Sequence, residues 1–309
     1  MILTVSALLL LGLILFPQVG MAGASQGLIL CARRVIPALF PYFFLTQLLL
    51  PYLPKGRKHP CLPAYVMGFV GGYPTGVATA VGLYEEGLVG KREANTALGL
   101  CNHSGPGFFL TVIGLGLFGS VRKGVVLYGI HVLSALLLIL LCGQKPEGKW
   151  ELRQLPKERK GFAGSFYDAL AASCEGMLRV CGVVILFSVG TALLKPLLPI
   201  SLWQAVGLIE LCNGIALLTQ GDRAFVLCAL FMGWGGLCVH MQAMSLWQRA
   251  GLKPKDYWRN KASHGVLSGL LAGLFVYGGW KIFCICTGIL SLSCYFYKKW
   301  GRKKGALAL

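Results

Sequence analysis

Charged residues are scarce in this sequence, and acidic residues are the scarcest. Only 13% of the 309 residues are charged, against about 25% in an ordinary soluble domain. The 11 acidic residues stand against 29 basic ones, and hydrophobic residues make up 56% of the chain. A soluble fold cannot bury that much apolar surface, so the composition excludes a soluble enzyme and a disordered chain. It is typical of a polytopic membrane protein, in which about 20 apolar residues cross the hydrocarbon layer.

Enzyme and cofactor motifs are also missing. No His-Glu-x-x-His segment occurs, the Gly-rich run at 71–76 lacks the Lys-Ser/Thr end of a phosphate-binding loop, and Ser104 lacks a nucleophile-elbow context. Most of the 12 cysteines lie within apolar segments, where a free Cys behaves as a small hydrophobe. We therefore predict that the protein is not an enzyme and has no catalytic residue, metal site or cofactor.

The basic residues lie at the ends of the apolar segments. Nineteen of the 29 Lys and Arg fall in four short polar stretches: 55–58, 145–160, 249–261 and 298–304. A basic excess can indicate nucleic-acid binding, but neither interleaved aromatic residues nor a folded basic domain accompanies this one. Lys and Arg near membrane ends are retained on the cytoplasmic side. We therefore predict a lipid bilayer, and no nucleic acid, as the partner of this chain.

A basic linker divides the apolar segments into two halves. We assign a first transmembrane half, a linker, a second transmembrane half and a basic tail to residues 1–142, 143–162, 163–297 and 298–309. Both halves contain apolar segments that Gly and Pro interrupt. Non-helical backbone at membrane depth is tolerated only where protein buries it or a water-filled cavity exposes it. The pattern predicts an all-α fold of two repeats, each with a re-entrant hairpin and a glycine-broken helix.

Four segments carry the predicted breaks: 71–76, 102–107, 210–214 and 233–238. Pro removes an amide donor, and Gly adopts non-helical geometry readily. The residues expected to break the helices are Gly71, Gly72, Pro74, Gly76, Gly105, Pro106, Gly235 and Gly236. Paired broken helices at matching positions are the best sequence indication of a midplane binding site in secondary transporters.

The distribution of charge predicts that the two halves are inverted relative to each other. If both hairpins are re-entrant and the linker is cytoplasmic, the inside loops hold 21 Lys and Arg and the outside loops hold five. The first hairpin then enters the membrane from the inside and the second from the outside. The linker and the C-terminus are accordingly predicted to be cytoplasmic in a multi-pass protein of the cell membrane.

Several motifs resemble one family of membrane proteins. The segments GFVGGYPTGVATA, EEGLVGKREA, LCNHSGPGFF, GLIELCNGIALL and GGLCVHMQAMSL resemble the sporulation integral membrane proteins of the YlbJ type. The resemblance implies a nucleoside-recognition, or Gate, domain, which is shared with concentrative nucleoside transporters and the ferrous-iron permease. One departure is that Asn102 to Pro106 reads Asn-His-Ser-Gly-Pro, where the family has an Asn-Thr-Ser-Asn-Pro-like run.

Polar side chains at and beside the breaks are the candidate binding residues. Intramembrane polar groups usually face a cavity or a partner. The candidates for binding a substrate or an ion are Tyr73, Thr75, Asn102, His103, Ser104, Glu210, Asn213, His240 and Gln242. The polar residues that follow Cys101 and Gly236 have two alternative roles. They line a cavity, or they form hydrogen bonds with backbone groups that the helix break leaves unpaired.

Glu210 has two alternative roles from the sequence. It is a coupling or ligand-contacting carboxylate, or it is a structural partner of Arg34 or Arg179. Glu175 lies one turn before Arg179 and is expected to form an i,i+4 pair with it. Two other polar residues receive no site role: His131 is expected to pack within an unbroken helix, and His264 is expected near the membrane interface.

The function predicted from these features is that of a transporter-like permease or channel for a small polar solute or ion. The proposed mechanism is alternating access about the midplane site. The resemblance implies a role in endospore formation. The alternative is a structural or assembly membrane protein of sporulation that keeps the fold without moving a solute. The partners considered are the bilayer, an unknown small solute or ion, and a second copy of the chain in a homo-oligomer.

Overall fold

The computed structural model describes four stretches of the chain: 2–49, 60–143, 161–197 and 199–306. Every regular element within these stretches is helical, which confirms the predicted all-α class. Most of the predicted linker, 144–160, and the last three residues of the predicted tail, 307–309, lie outside the described residues.

In its described residues, the first half contains seven α-helices and two π-helical segments. The α-helices are α1 Ile2–Leu15, α2 Pro17–Leu30, α3 Ile36–Leu49, α4 Leu62–Gly71, α5 Thr75–Glu85, α6 Lys91–Cys101 and α7 Val121–Cys142. A π-helical turn, Cys31–Val35, joins α2 to α3, and a second π-helical segment covers Phe108–Leu117. The first of these turns precedes Pro37, which has no amide hydrogen to continue a regular helical ladder.

The described part of the second half contains five α-helices. Its α-helices are α8 Phe162–Leu194, α9 Leu211–Ala216, α10 Asp222–Trp234, α11 Gly236–Arg249 and α12 Tyr257–Ala306. A 3₁₀ segment, Ile200–Leu208, precedes α9. The range of α12 contains two helices that meet at a kink, because Gly279 has a non-helical φ of 74°.

Five helical stretches in the described part of the chain are long and apolar enough to cross a membrane. They are Pro17–Leu49, Val121–Cys142, Phe162–Leu197, Asp222–Arg249 and Tyr257–Ser293. Their outer faces carry many exposed large hydrophobic side chains, as expected where lipid tails are the solvent. The chain is therefore a multi-pass integral membrane protein by the length and composition of its helices.

Small residues bring the two halves into close contact. Gly23 and Gly27 of α2 face α8, and a Cβ built on Gly27 would lie 2.9 Å from the Cα of Ile185. Such small-xxx-small spacing lets membrane helices approach backbone to backbone. On the other side of the molecule α12 packs against α10 and α7. Because α7 is in the first half and α10 in the second, α12 contacts both.

Candidate functional site

Three of the helix breaks touch one another. A Cβ built on Gly72, whose φ is 75°, would lie 2.7 Å from the backbone nitrogen of Gly105. The hydroxyl of Tyr73 donates to the backbone carbonyl of Met232 over 2.7 Å. A Cβ on Gly235, at φ 98°, would lie 3.0 Å from that hydroxyl. The break before α5, the break after α6 and the break between α10 and α11 therefore meet in one place.

The breaks are narrower than the segments predicted from sequence. The non-helical residues are 72–74 before α5, 102–105 after α6, 209–210 before α9, and Gly235 between α10 and α11. Three expected breakers instead lie in helical segments: Gly71, Gly76 and Pro106. Their assignment as breaks was wrong, whereas Gly236 has a non-helical φ of 77° and belongs to the break at Gly235.

Each misassigned residue is compatible with helix where it stands. Pro106 opens a helical turn, where its missing amide hydrogen would be unpaired in any case. Gly76 lies inside α5 and is required for close packing, since a Cβ there would overlap the carbonyl oxygen of Cys101. Gly71 is the last residue of α4.

A chain of hydrogen bonds joins the two halves at this place. Asn102 Nδ2 donates to the hydroxyl oxygen of Tyr257 over 2.7 Å, and Nδ1 of His240 lies 2.8 Å from the same hydroxyl. The direction of the second bond follows the His240 tautomer: Nδ1 accepts the Tyr257 proton when Nε2 carries the ring hydrogen, and donates to the Tyr257 oxygen when Nδ1 carries it. Tyr257 was not a candidate from the sequence, and it is the central member of the chain.

A buried lysine lies beside this chain. Lys261 is only 1% exposed, and its Nζ donates to the backbone carbonyl of Asn102 over 2.6 Å. The same Nζ lies 3.5 Å from Nδ1 of His264 and 5.5 Å from the ring centre of Tyr73. Charge counting had placed Lys261 in a cytoplasmic loop, and that assignment is wrong. The basic loop ends earlier, because α12 begins at Tyr257.

Three buried histidines form a compact group next to Lys261. The ring centres of His103, His131 and His264 lie 4.5 to 5.7 Å apart. Nε2 of His103 contacts the carbonyl of Leu100 at 2.6 Å, and Nε2 of His264 contacts the carbonyl of His131 at 3.1 Å. Sequence reasoning gave roles to neither His131 nor His264. The Lys261–His264 spacing of three residues on one helix face was the available signal.

Four polar atoms in this region are buried without a hydrogen-bond partner among the described residues. They are Asn102 Oδ1, His103 Nδ1, His131 Nδ1 and His240 Nε2. Buried polar groups are almost always paired, because an unpaired one costs about 1–3 kcal/mol. We call the group that contains them the central polar layer: Tyr73, Asn102, His103, Ser104, His131, His240, Tyr257, Lys261 and His264.

Glu210 has a different environment from the one expected. It is fully buried, and its carboxylate accepts the backbone N–H groups of Cys212 at 3.1 Å and Asn213 at 2.5 Å. It is therefore the N-cap of α9. Pairing with Arg179 is wrong, because Arg179 binds Glu175 at 2.5 Å, which confirms the predicted i,i+4 pair.

The remaining candidate residues divide between the two places. Asn213 lies at the Glu210 cap, where its Nδ2 donates to the hydroxyl of Ser188 over 2.7 Å. The backbone N–H of Ser104 donates to Nε2 of His131 over 3.3 Å, so Ser104 is in the central polar layer. Thr75 is the first residue of α5, beside the first break, and Gln242 is buried on α11 two residues after His240.

These observations define a class: a polytopic all-helical membrane protein with a buried polar layer where interrupted helices meet. The chain is similar to the sporulation integral membrane protein YlbJ of Bacillus subtilis (strain 168). The two are 24% identical over an alignment of 324 positions, which covers 86% of this chain and 78% of the relative. The resemblance to the YlbJ-type family is thereby confirmed over most of the chain. No family model and no solved structure matches the sequence.

Proposed function

We propose that this protein is a non-enzymatic, transporter-like permease or channel for a small polar solute or ion, acting in the cell membrane during endospore formation. The sporulation role rests on the name of its relative YlbJ. The Gate-domain assignment, the inverted arrangement of the halves and the re-entrant hairpins belong to the same proposal. They are supported by the interrupted helices found in both halves.

The central polar layer carries this proposal. Its side chains come from two helix breaks of the first half and from α7, α11 and α12, and it is buried within a strongly apolar protein. Polar and ionisable groups inside a membrane protein are costly and usually mark a path for a solute or ion. Four unpaired buried atoms supply donors and acceptors that a polar solute would satisfy on binding.

The proposed orientation has support from a basic cleft of about 620 Å³. Its lining combines the end of α7, the start of α6 and the segment before α12: Lys91, Arg92, Leu141, Cys142, Lys253, Lys255 and Arg259 are among its residues. Basic residues from two segments, the start of α6 and the segment that leads into α12, thus gather beside the end of α7, where the chain enters the linker. This agrees with a cytoplasmic linker, since basic loops are retained inside.

Solute uptake by proteoliposomes tests the proposal. We would offer a small-molecule extract of sporulating cells to liposomes with and without the purified protein, and identify the accumulated compounds by mass spectrometry. At least one polar compound or ion should accumulate only with the wild-type protein. Asn102→Ala should abolish this, because it removes the link to Tyr257.

Thr96→Ala in α6, the helix that precedes Asn102, is the matched control, because its hydroxyl donates to the backbone carbonyl of Arg92 on an exposed turn. It should transport like the wild type. Two results together would instead favour the structural or assembly role. Liposomes with and without the protein would contain equal amounts of every solute, and deletion of the gene would still cause a sporulation defect.

A further inference from the structure

We propose that His103, His131 and His264 form a binding site for a divalent d-block cation that prefers imidazole ligands, with Zn²⁺ as its representative. This inference is independent of solute transport, because it concerns the equilibrium binding of an ion to the purified protein. The three side chains are each buried to 97% or more, so the site is inside the helix assembly.

The spacing of the rings carries the first step of the argument. Each histidine offers one nitrogen such that the three atoms all lie within 4.8 Å of one another. Zn–N bonds of about 2.0–2.1 Å require nitrogens about 3.3 Å apart in a tetrahedral site. The three nitrogens would therefore move closer together by about an ångström when the ion binds, and rotation of the side chains can supply this movement.

Hydrogen bonds already orient two of the rings as metal ligands are usually oriented. Nε2 of His103 donates to the carbonyl of Leu100, and Nε2 of His264 donates to the carbonyl of His131. A ring that donates one N–H to a carbonyl presents a lone pair at its other nitrogen, which is the usual outer shell of a metal-binding histidine. Nδ1 of His103 is buried with no partner among the described residues, so a ligand is missing there.

The third ring requires a change of tautomer. Nε2 of His131 accepts a hydrogen bond from the backbone N–H of Ser104 over 3.3 Å, so the ring's own hydrogen is on the unpaired Nδ1. To bind an ion, His131 gives up this long hydrogen bond. His103 and His264 are thus the preformed ligands, and His131 completes the site.

Lys261 opposes the ion. Its Nζ lies 3.5 Å from Nδ1 of His264, and two like charges at this range repel strongly in a buried site. The ammonium must therefore swing away, or lose its proton, when the ion binds. Removing the charge by Lys261→Met should strengthen binding by a factor of at least about ten.

Zn²⁺ titration of tag-free protein, after removal of metal with a chelator, tests the site. Calorimetry and elemental analysis should find one Zn²⁺ that is lost in His103→Ala and His264→Ala and weakened at least about tenfold in His131→Ala. His240→Ala is the matched control, because it removes a buried imidazole outside the triad and should leave this stoichiometry unchanged. If an alanine variant fails to fold, the corresponding glutamine variant takes its place.

Two further readouts separate the triad from the many cysteines. Co²⁺ bound by the wild type should show ligand-field bands without the intense near-ultraviolet absorption of cobalt–thiolate bonds. Lys261→Met should bind Zn²⁺ more tightly than the wild type. The proposal is overturned if Zn²⁺ binding persists undiminished in His103→Ala or His264→Ala, if Co²⁺ reports thiolate ligation, or if Lys261→Met binds Zn²⁺ no more tightly.

Discussion

Two buried polar regions of this protein differ in how fully their groups are paired. At the Glu210 cap, both carboxylate oxygens accept backbone N–H groups, and the neighbouring Asn213 donates to Ser188. In the central polar layer, four buried atoms have no partner in the described part of the chain. A fully paired buried group stabilises the fold, whereas unpaired buried groups are costly and persist where a ligand uses them. We therefore assign Glu210 to structure and the central polar layer to function.

The largest effect is expected where the breaks are held together by backbone contact. Gly76→Ala would force a Cβ against the carbonyl oxygen of Cys101, and overpacking of this kind costs about 1–3 kcal/mol or more. We expect a fall in melting temperature in detergent and loss of solute uptake. Gly82→Ala in the same helix is the control, since nothing lies within 4 Å of its Cβ. It should be neutral or stabilising by up to about 1 kcal/mol. Equal melting temperatures would contradict the close packing at the break.

The second effect concerns the paired region. Glu210→Ala removes the cap of α9 and leaves two buried N–H groups without an acceptor, which should cost about 2 kcal/mol. Glu210→Gln retains one acceptor oxygen and should fall between alanine and wild type in thermal stability. If Glu210 were instead a coupling group, the Gln variant would melt like the wild type and lose uptake alone.

The third effect is smaller, because one hydroxyl is removed from the central polar layer. Tyr257→Phe leaves Asn102 Nδ2 and Nδ1 of His240 without their shared partner, at a cost of about 1–2 kcal/mol. The melting temperature should therefore fall only slightly. Solute uptake should fall by much more than this loss of stability would explain. Uptake that remains at the wild-type level would show that the link between the halves serves packing only.

The smallest effect is expected at the surface. Asp256→Asn breaks an exposed ion pair with Arg259, which measures 3.1 Å with both side chains more than 60% exposed. Exposed pairs contribute little because water and salt screen them. The melting temperature and uptake should both stay at the wild-type level. A marked loss of either would indicate that this pair belongs to the machinery of the protein and not to its solvated face.

The sequence predicted the class of fold and the positions of the breaks better than the identity of the site. Composition and apolar segments indicated an all-α membrane protein, and Gly and Pro near 72–74, 102–105 and 235 marked segments that are not helical. These signals are local, since a missing amide hydrogen or a positive φ acts within one turn. Charge counting, in contrast, misplaced Lys261, because it cannot distinguish a basic residue of a loop from one in the next buried turn.

The missed site residues depend on tertiary packing. His131 comes from α7, and Tyr257, Lys261 and His264 come from α12. They reach the breaks only because α12 packs against both α7 and α10. Glu210 was misjudged for a related reason: its partners are backbone groups two and three residues ahead.

The central claim is that the central polar layer is retained for function at the expense of stability. The Lys261→Met variant tests this claim most directly. Replacing a buried charge with an apolar side chain of similar length is often neutral or stabilising. The measurement is melting temperature in detergent beside solute uptake in liposomes, for the wild type and the variant. Our account predicts an unchanged or higher melting temperature with uptake lost. A variant that melts lower and loses uptake in proportion would contradict it, and so would a variant that matches the wild type in both.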